Sequence, residues 1–163
     1  MTCPARPRAC KTPWPVATPS ITLVDLNAHS LAAAARRIDR YSPDTVVANI
    51  LEPSLTGEAR YESVGLCYLL HCLPGALAEK AKVFDHVQPV MAEGAVLFGA
   101  TILQGDAPRS RAAQALMDFY NRKGIFANAA DTHDDLKIEL EKRFPDVRLT
   151  RFGAVTAFEA RNG

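Results

Sequence analysis

Short apolar runs alternating with amphipathic stretches constrain this chain more than any other feature of its sequence. ITLVD (Ile21 to Asp25) is β-branched and apolar, the pattern of a strand buried on both faces. An Ala- and Arg-rich helix follows, from Ala28 to about Arg40, with Asn27 placed as its N-cap. Ser42-Pro43-Asp44 breaks that helix, and TVVANIL (Thr45 to Leu51) reads as a second strand. Tyr61 to about Cys67 reads as a third, and Pro74-Gly75 precedes a helix from Ala76 to about Val87. AVLFGAT (Ala95 to Thr101) is a fourth strand, followed by helices from Arg109 to Arg122 and His133 to Phe144. Thr132 and Asp135 have capping-box spacing at the start of the second of these, and Lys142 and Arg143 suit its C-terminal end. The chain closes on Val147 to Phe152 and Ala154 to Ala160, so tightly joined that they must be antiparallel neighbours. This order predicts an α/β fold of right-handed βαβ units, with a mostly parallel sheet made mixed by the C-terminal hairpin.

Composition narrows the classes. A chain of 163 residues suits one domain with a substantial core, and 48% hydrophobic residues argue against disorder. The net charge of +1 gives no electrostatic footprint for nucleic acid or an acidic membrane face. Pro4, Pro7, Pro13, Pro15 and Pro19 crowd residues 1–20, where neither helix nor central strand survives. An extended, poorly ordered lead-in is expected there, pinned by Trp14, ahead of a domain spanning 21–163. The longest apolar run, Gly94 to Leu103, is about half the ~20 residues of a membrane-spanning helix. No secretory leader is visible, so the reading is a soluble cytoplasmic protein with reduced thiols. Cys3, Cys10, Cys67 and Cys72 contain no C-x-x-C pair, and no metal site is expected even at Cys67, His71 and Cys72.

Ligands of open α/β sheets bind beyond the carboxyl ends of the strands. Asp25 closes the first strand, where a carboxylate either accepts two ribose hydroxyls or caps the next helix beside Asn27. Asn49 and Ile50 close the second, offering an amide and a main-chain N–H to a purine edge, or forming an ordinary strand end. His71, after the third strand, is either a general base or a structural histidine. The long connection carrying Tyr120, Asn121, Arg122, Lys123, Phe126, Asn128 and His133 reads as a lid over substrate or as two helices packed on the sheet.

The succession ITLVDLNAHSLAAAARRI, VVANILEP, YESVGLCYLLHCLPG, GAVLFGATIL and RFPDVRLTRFGAVTAFEAR resembles class I S-adenosylmethionine-dependent methyltransferases of Rossmann-like fold. It is most similar to bacterial small-molecule enzymes of the methyltransferase-domain type. The resemblance runs from Ile21 to Arg161, about nine-tenths of the chain. It implies that Asp25 binds the ribose hydroxyls of S-adenosylmethionine and that Leu26 lies against the adenine. It places Asn49 and Ile50 beside the adenine too, where Asp is commoner than Asn in the family. Cys67, Tyr68 and His71 match the segment beside the methionine end and the transferred methyl. Methyl transfer is an in-line displacement, so positioning dominates, with His71 or Tyr68 assisting deprotonation of an oxygen or nitrogen acceptor.

The resemblance does not extend to the family's first central strand and its glycine-rich turn. That turn belongs ~20 residues before the acidic strand end, yet the first of the nine glycines is Gly57. The chain is therefore expected either to start inside a larger domain, through truncation or a misplaced start at Met1, or to have the gap filled by a strand from another source. Two readings follow: methyl transfer to a small molecule, or a catalytically inactive remnant serving as a binding or oligomerising module, with homo-oligomers allowed under either. A nicotinamide-dependent reductase is a distant third, because the closing hairpin does not suit it.

Overall fold

The computed structural model describes residues 19–53, 55, 60–107 and 110–163, and the expectations for residues 1–18, Trp14 among them, lie outside it. The fold is α/β and Rossmann-like, and the chain divides between Val47 and Ala48 into two units.

In the first unit, β1 (Thr22–Asp25) and β2 (Asp44–Val47) pair in parallel, Thr22 with Asp44 through Asp25 with Val47. Helix α1 (Ala28–Arg37) connects them and packs on both. It starts where expected, because the Asn27 Oδ1 accepts the His29 and Ser30 N–H groups at 2.9 and 3.3 Å. It ends three residues early, and Asp39–Tyr41 continue as a 3₁₀ turn. The second strand stops at Val47 instead of Leu51 because Asn49 folds the chain into a turn. Leu31 is the buried residue of α1, while Val24, Val46 and Val47 stay exposed.

In the second unit, β3 (Tyr61–Cys67), β4 (Met91–Ile102), β5 (Asp146–Phe152) and β6 (Val155–Arg161) form a sheet of order β3-β4-β6-β5. β3 and β4 are parallel; β4–β6 and β5–β6 are antiparallel. Parallel and antiparallel ladders are thus evenly matched across the two sheets, and no described strand joins one sheet to the other. Gly153, at φ +62°, makes the tight β5–β6 turn. Gly99 is required by proximity, since a Cβ there would lie 2.4 Å from the Leu66 carbonyl oxygen.

Alternate residues of β4, Ala95, Leu97, Gly99 and Thr101, point into the core, as the two-residue period of a strand dictates. They meet α2 (Leu77–Lys80), α3 (Lys82–Val87) and α5 (His133–Glu141) through Leu77, Phe84, Leu136 and Leu140. The expected single helix from Ala76 is interrupted at Ala81. Phe84 sits edge-on to Phe144 and Phe158 at 6.4 and 6.3 Å, a preferred aromatic geometry. Helix α4 (Arg111–Arg122) has no buried residue and leaves Leu116 and Phe119 exposed. Among the described residues, no helix is long and apolar enough to cross a membrane.

Candidate functional site

In the first unit the site residues are those closing β1. The Asp25 Oδ1 accepts the Asn27 N–H at 2.7 Å, which shapes the turn into α1. The capping reading and the ligand reading are compatible, because a carboxylate has a second oxygen and Asp25 is solvent-exposed. Leu26 beside it is 68% exposed, an apolar side chain on the surface.

In the second unit, Asn49 spends its amide on its own turn: Oδ1 accepts the Leu51 N–H at 3.1 Å and Nδ2 donates to Glu52 Oε1 at 3.0 Å. Ile50 is half-buried against the core, and its carbonyl lies 2.8 Å from His86 Nδ1.

The carboxyl end of β3 carries the remaining candidates. Cys67 is an exposed free thiol. Tyr68 follows at φ +58°, a left-handed conformation that is uncommon for a bulky residue and is found disproportionately at functional sites. Its N–H donates to the Ala100 carbonyl at 2.7 Å, and its side chain is 54% exposed. The chain then turns back through a 3₁₀ segment, Leu70–Cys72, which buries Leu70 and His71. The His71 ring lies edge-on to Tyr68 at 5.9 Å and to Phe126 at 4.7 Å. His71 Nδ1 is 3.3 Å from Thr101 Oγ1 and 3.4 Å from the Ile102 nitrogen. Burial first, and the Lys80 charge second, push the His71 pKa below its usual 6.5.

A polar layer supports this end of the sheet. Lys80 is fully buried and its Nζ donates to Asp131 Oδ2 and to the Ala127 carbonyl, both at 2.5 Å. Burial raises the Asp131 carboxyl more than Lys80 lowers it. Asn128, also fully buried, donates to the Ile102 carbonyl at 2.8 Å and accepts from Asn121 at 3.0 Å. The Ala127 N–H donates to the His71 carbonyl at 2.9 Å, so the segment from Phe126 to Asp131 is tied to the strand ends. Among the described residues no buried side-chain nitrogen or oxygen lacks a hydrogen-bond partner. None of their His, Cys, Asp and Glu side chains gather in threes around a metal position.

The structure therefore brings Tyr68 and His71 together, with Cys67 beside them. Asp25 and Leu26 belong to the first unit. Sequence reasoning missed Lys80, Thr101 and Asp131. Lys80 carried a legible signal: in the helix expected from Ala76 it falls on the apolar stripe with Leu77, Ala81 and Phe84, where a lysine needs a buried partner.

No family model matches the chain. It is similar to a demethylluteothin O-methyltransferase of Streptomyces thioluteus, 46% identical over 147 residues, covering 90% of this chain and 64% of the relative. It is also similar to an O-methyltransferase of Aspergillus niger, 37% identical over 149 residues, covering 86% of this chain and 76% of that one. The chain thus spans about two thirds of the length of the first relative. Among solved structures it resembles the N-methyltransferase NodS of Bradyrhizobium japonicum in complex with S-adenosyl-L-homocysteine. There the TM-score is 0.61 at 14% identity, over 88% of this chain and 66% of NodS. An O-methyltransferase family protein of Burkholderia thailandensis gives a TM-score of 0.66 at 18% identity, over 88% and 44%.

Proposed function

Because the chain belongs to the class I S-adenosylmethionine-dependent methyltransferases, we propose that it takes part in methyl transfer from S-adenosylmethionine to an oxygen of a small molecule. The observation that carries this reading is the 46% identity to a named O-methyltransferase over 90% of the chain. Features of each unit support a role for the cofactor. The exposed Asp25 carboxylate has an oxygen beyond the one that caps α1, suited to the ribose hydroxyls, with Leu26 as an apolar surface for the adenine. The resemblance assigns Asn49 and Ile50 to the adenine as well; within their own unit Ile50 is half-buried and the Asn49 amide is held in its turn.

When bound, S-adenosylmethionine supplies an electrophilic methyl on a sulfonium. The chain's own contribution is placement, worth far more in such a displacement than any single contact. Cys67 lies beside the methionine end in this reading, and His71 or Tyr68 assists deprotonation of the acceptor. The 21–163 segment acts as the methyltransferase part of the molecule, and residues 1–20 lie ahead of it.

Calorimetry of the full chain with S-adenosylhomocysteine tests the reading. Saturable binding is expected, and Asp25→Ala should weaken it at least tenfold, about 1.4 kcal/mol. A folded sample that takes up no ligand at millimolar concentration would sink methyl transfer for this chain and favour the inactive binding module.

A further inference from the structure

β4 runs past the end of β3. Their ladder finishes at Cys67 with Ala100, and the Tyr68 N–H to Ala100 carbonyl bond closes it. Within a strand, the N–H and C=O of one residue point to the same neighbour. Ile102, two residues beyond Ala100, therefore turns both groups toward a place where no residue of β3 follows. Its carbonyl is taken by Asn128 Nδ2 at 2.8 Å and its N–H by His71 Nδ1 at 3.4 Å.

This arrangement fixes where the imidazole proton sits. A main-chain N–H only donates, so Nδ1 must present a lone pair. The fully buried Thr101 hydroxyl, 3.3 Å from the same nitrogen, can donate to it as well. The proton of the neutral ring is then on Nε2. Among the described residues no fully buried side-chain nitrogen lacks a partner, and the bonds of this ring run through Nδ1, so Nε2 is not sealed off from solvent.

Resting on the methyl-transfer reading above, we propose that His71 serves the reaction as a fixed Nε2–H donor to the acceptor oxygen, with Thr101 as its positioning residue. The donor favours the oxyanion of a bound hydroxyl, the form that attacks. The acceptor O–H gives its proton to water, and the oxygen lone pair forms the new O–C bond. The C–S bond breaks with its pair going to sulfur, and nothing is oxidised or reduced. A general base would need the opposite ring geometry, with a bare nitrogen toward the acceptor.

Nitrogen NMR of the full chain carrying isotope-labelled histidine reads the tautomer directly, whether or not cofactor binds. Nε2–H with a bare Nδ1 is expected for His71. Thr101→Val should admit a second, Nδ1–H population, and Thr101→Ser should restore the single form. Methyl transfer from labelled S-adenosylmethionine to para-nitrophenol adds the functional arm. His71→Gln, whose amide supplies a donor, should stay within about tenfold of wild type, while His71→Leu should fall about 100- to 1000-fold, the cost of a lost oxyanion donor. An Nδ1–H resonance assigned to His71 in the wild-type protein, as distinct from that of His86, which donates from Nδ1 to the Ile50 carbonyl, or a glutamine variant as poor as the leucine one, overturns the proposal. Failure of the methyl-transfer reading itself shows separately, as absent S-adenosylhomocysteine binding.

Discussion

The strands before Ala48 and those after it draw on the same residues, valine, threonine and leucine, yet they end in different surroundings. Val24, Val46 and Val47 are 37%, 36% and 60% exposed, whereas Leu97 and Ala160 are fully buried. The difference lies in what packs on them. One helix, α1, lies on β1 and β2, and Leu31 is its buried residue. Phe84, Leu136, Leu140 and Phe144 close over the inner face of β4 and β6. A β-branched run signals that a strand forms; the elements around it decide how much apolar surface leaves the water. Two short strands and a helix sit near the lower limit of independent stability, so the region 19–47 should open far more readily than the rest.

The largest effect should come from the buried ion pair that organises the larger unit. Lys80→Met leaves the Asp131 carboxylate buried without its ammonium, and Asp131→Asn leaves Lys80 likewise. Each single change should cost about 3–5 kcal/mol in urea unfolding, and the double change to Met and Leu should recover most of that. A single variant costing less than about 1 kcal/mol would show that Lys80 anchors a surface feature and not the packed unit.

A paired truncation probes the contrast itself. Leu140→Ala removes a fully buried side chain from the main core and should cost about 2–5 kcal/mol. Leu31→Ala, in a site with fewer neighbours and more freedom to collapse, should fall below about 2 kcal/mol. In amide exchange, β1 and β2 should open locally while β4 and β6 exchange only through global unfolding. Equal costs and equal protection would mean that the two regions share one cooperative core.

What the sequence disclosed follows the same division. Most strands and helices were readable from apolar period and caps, since Asn27 and Thr132 act within one turn of themselves, but the second strand stopped short at the Asn49 turn and the helix expected from Ala76 broke at Ala81. The lateral order of the strands, β3-β4-β6-β5, was legible only at the hairpin, where the connection is too short for any other arrangement. The site was legible as strand ends and no further. That His71 meets Thr101 and Ile102, thirty or so positions away, depends on how far β4 outruns β3, and no local pattern encodes that length. The same holds for Lys80 with Asp131, whose helix stripe advertised a partner without saying which.

The smallest predicted effect is a pH slope belonging to the packed unit. Burial and then the Lys80 charge hold the His71 ring below 6.5, so the unfolded chain binds a proton at pH values where the folded chain does not. Stability therefore rises with pH across that window, is fully present above about 6.5, and declines as the pH falls from there toward the folded value. Asp131 works in the opposite sense lower down, since burial, partly offset by Lys80, lifts its carboxyl above 3.8 and favours folding below the raised value. Asp85, held down chiefly by its hydrogen bond to Arg143, gives a loss only once the pH drops through the carboxylate range. Urea midpoints measured on either side of 6.5 should therefore slope in the wild type and flatten in His71→Gln, which carries no titrating ring. The slope should be read by the β4 and β6 amides, since His71 hangs on the end of β4. A slope that survives His71→Gln unchanged would place the titrating group elsewhere and detach this acid sensitivity from the strand end that His71 caps.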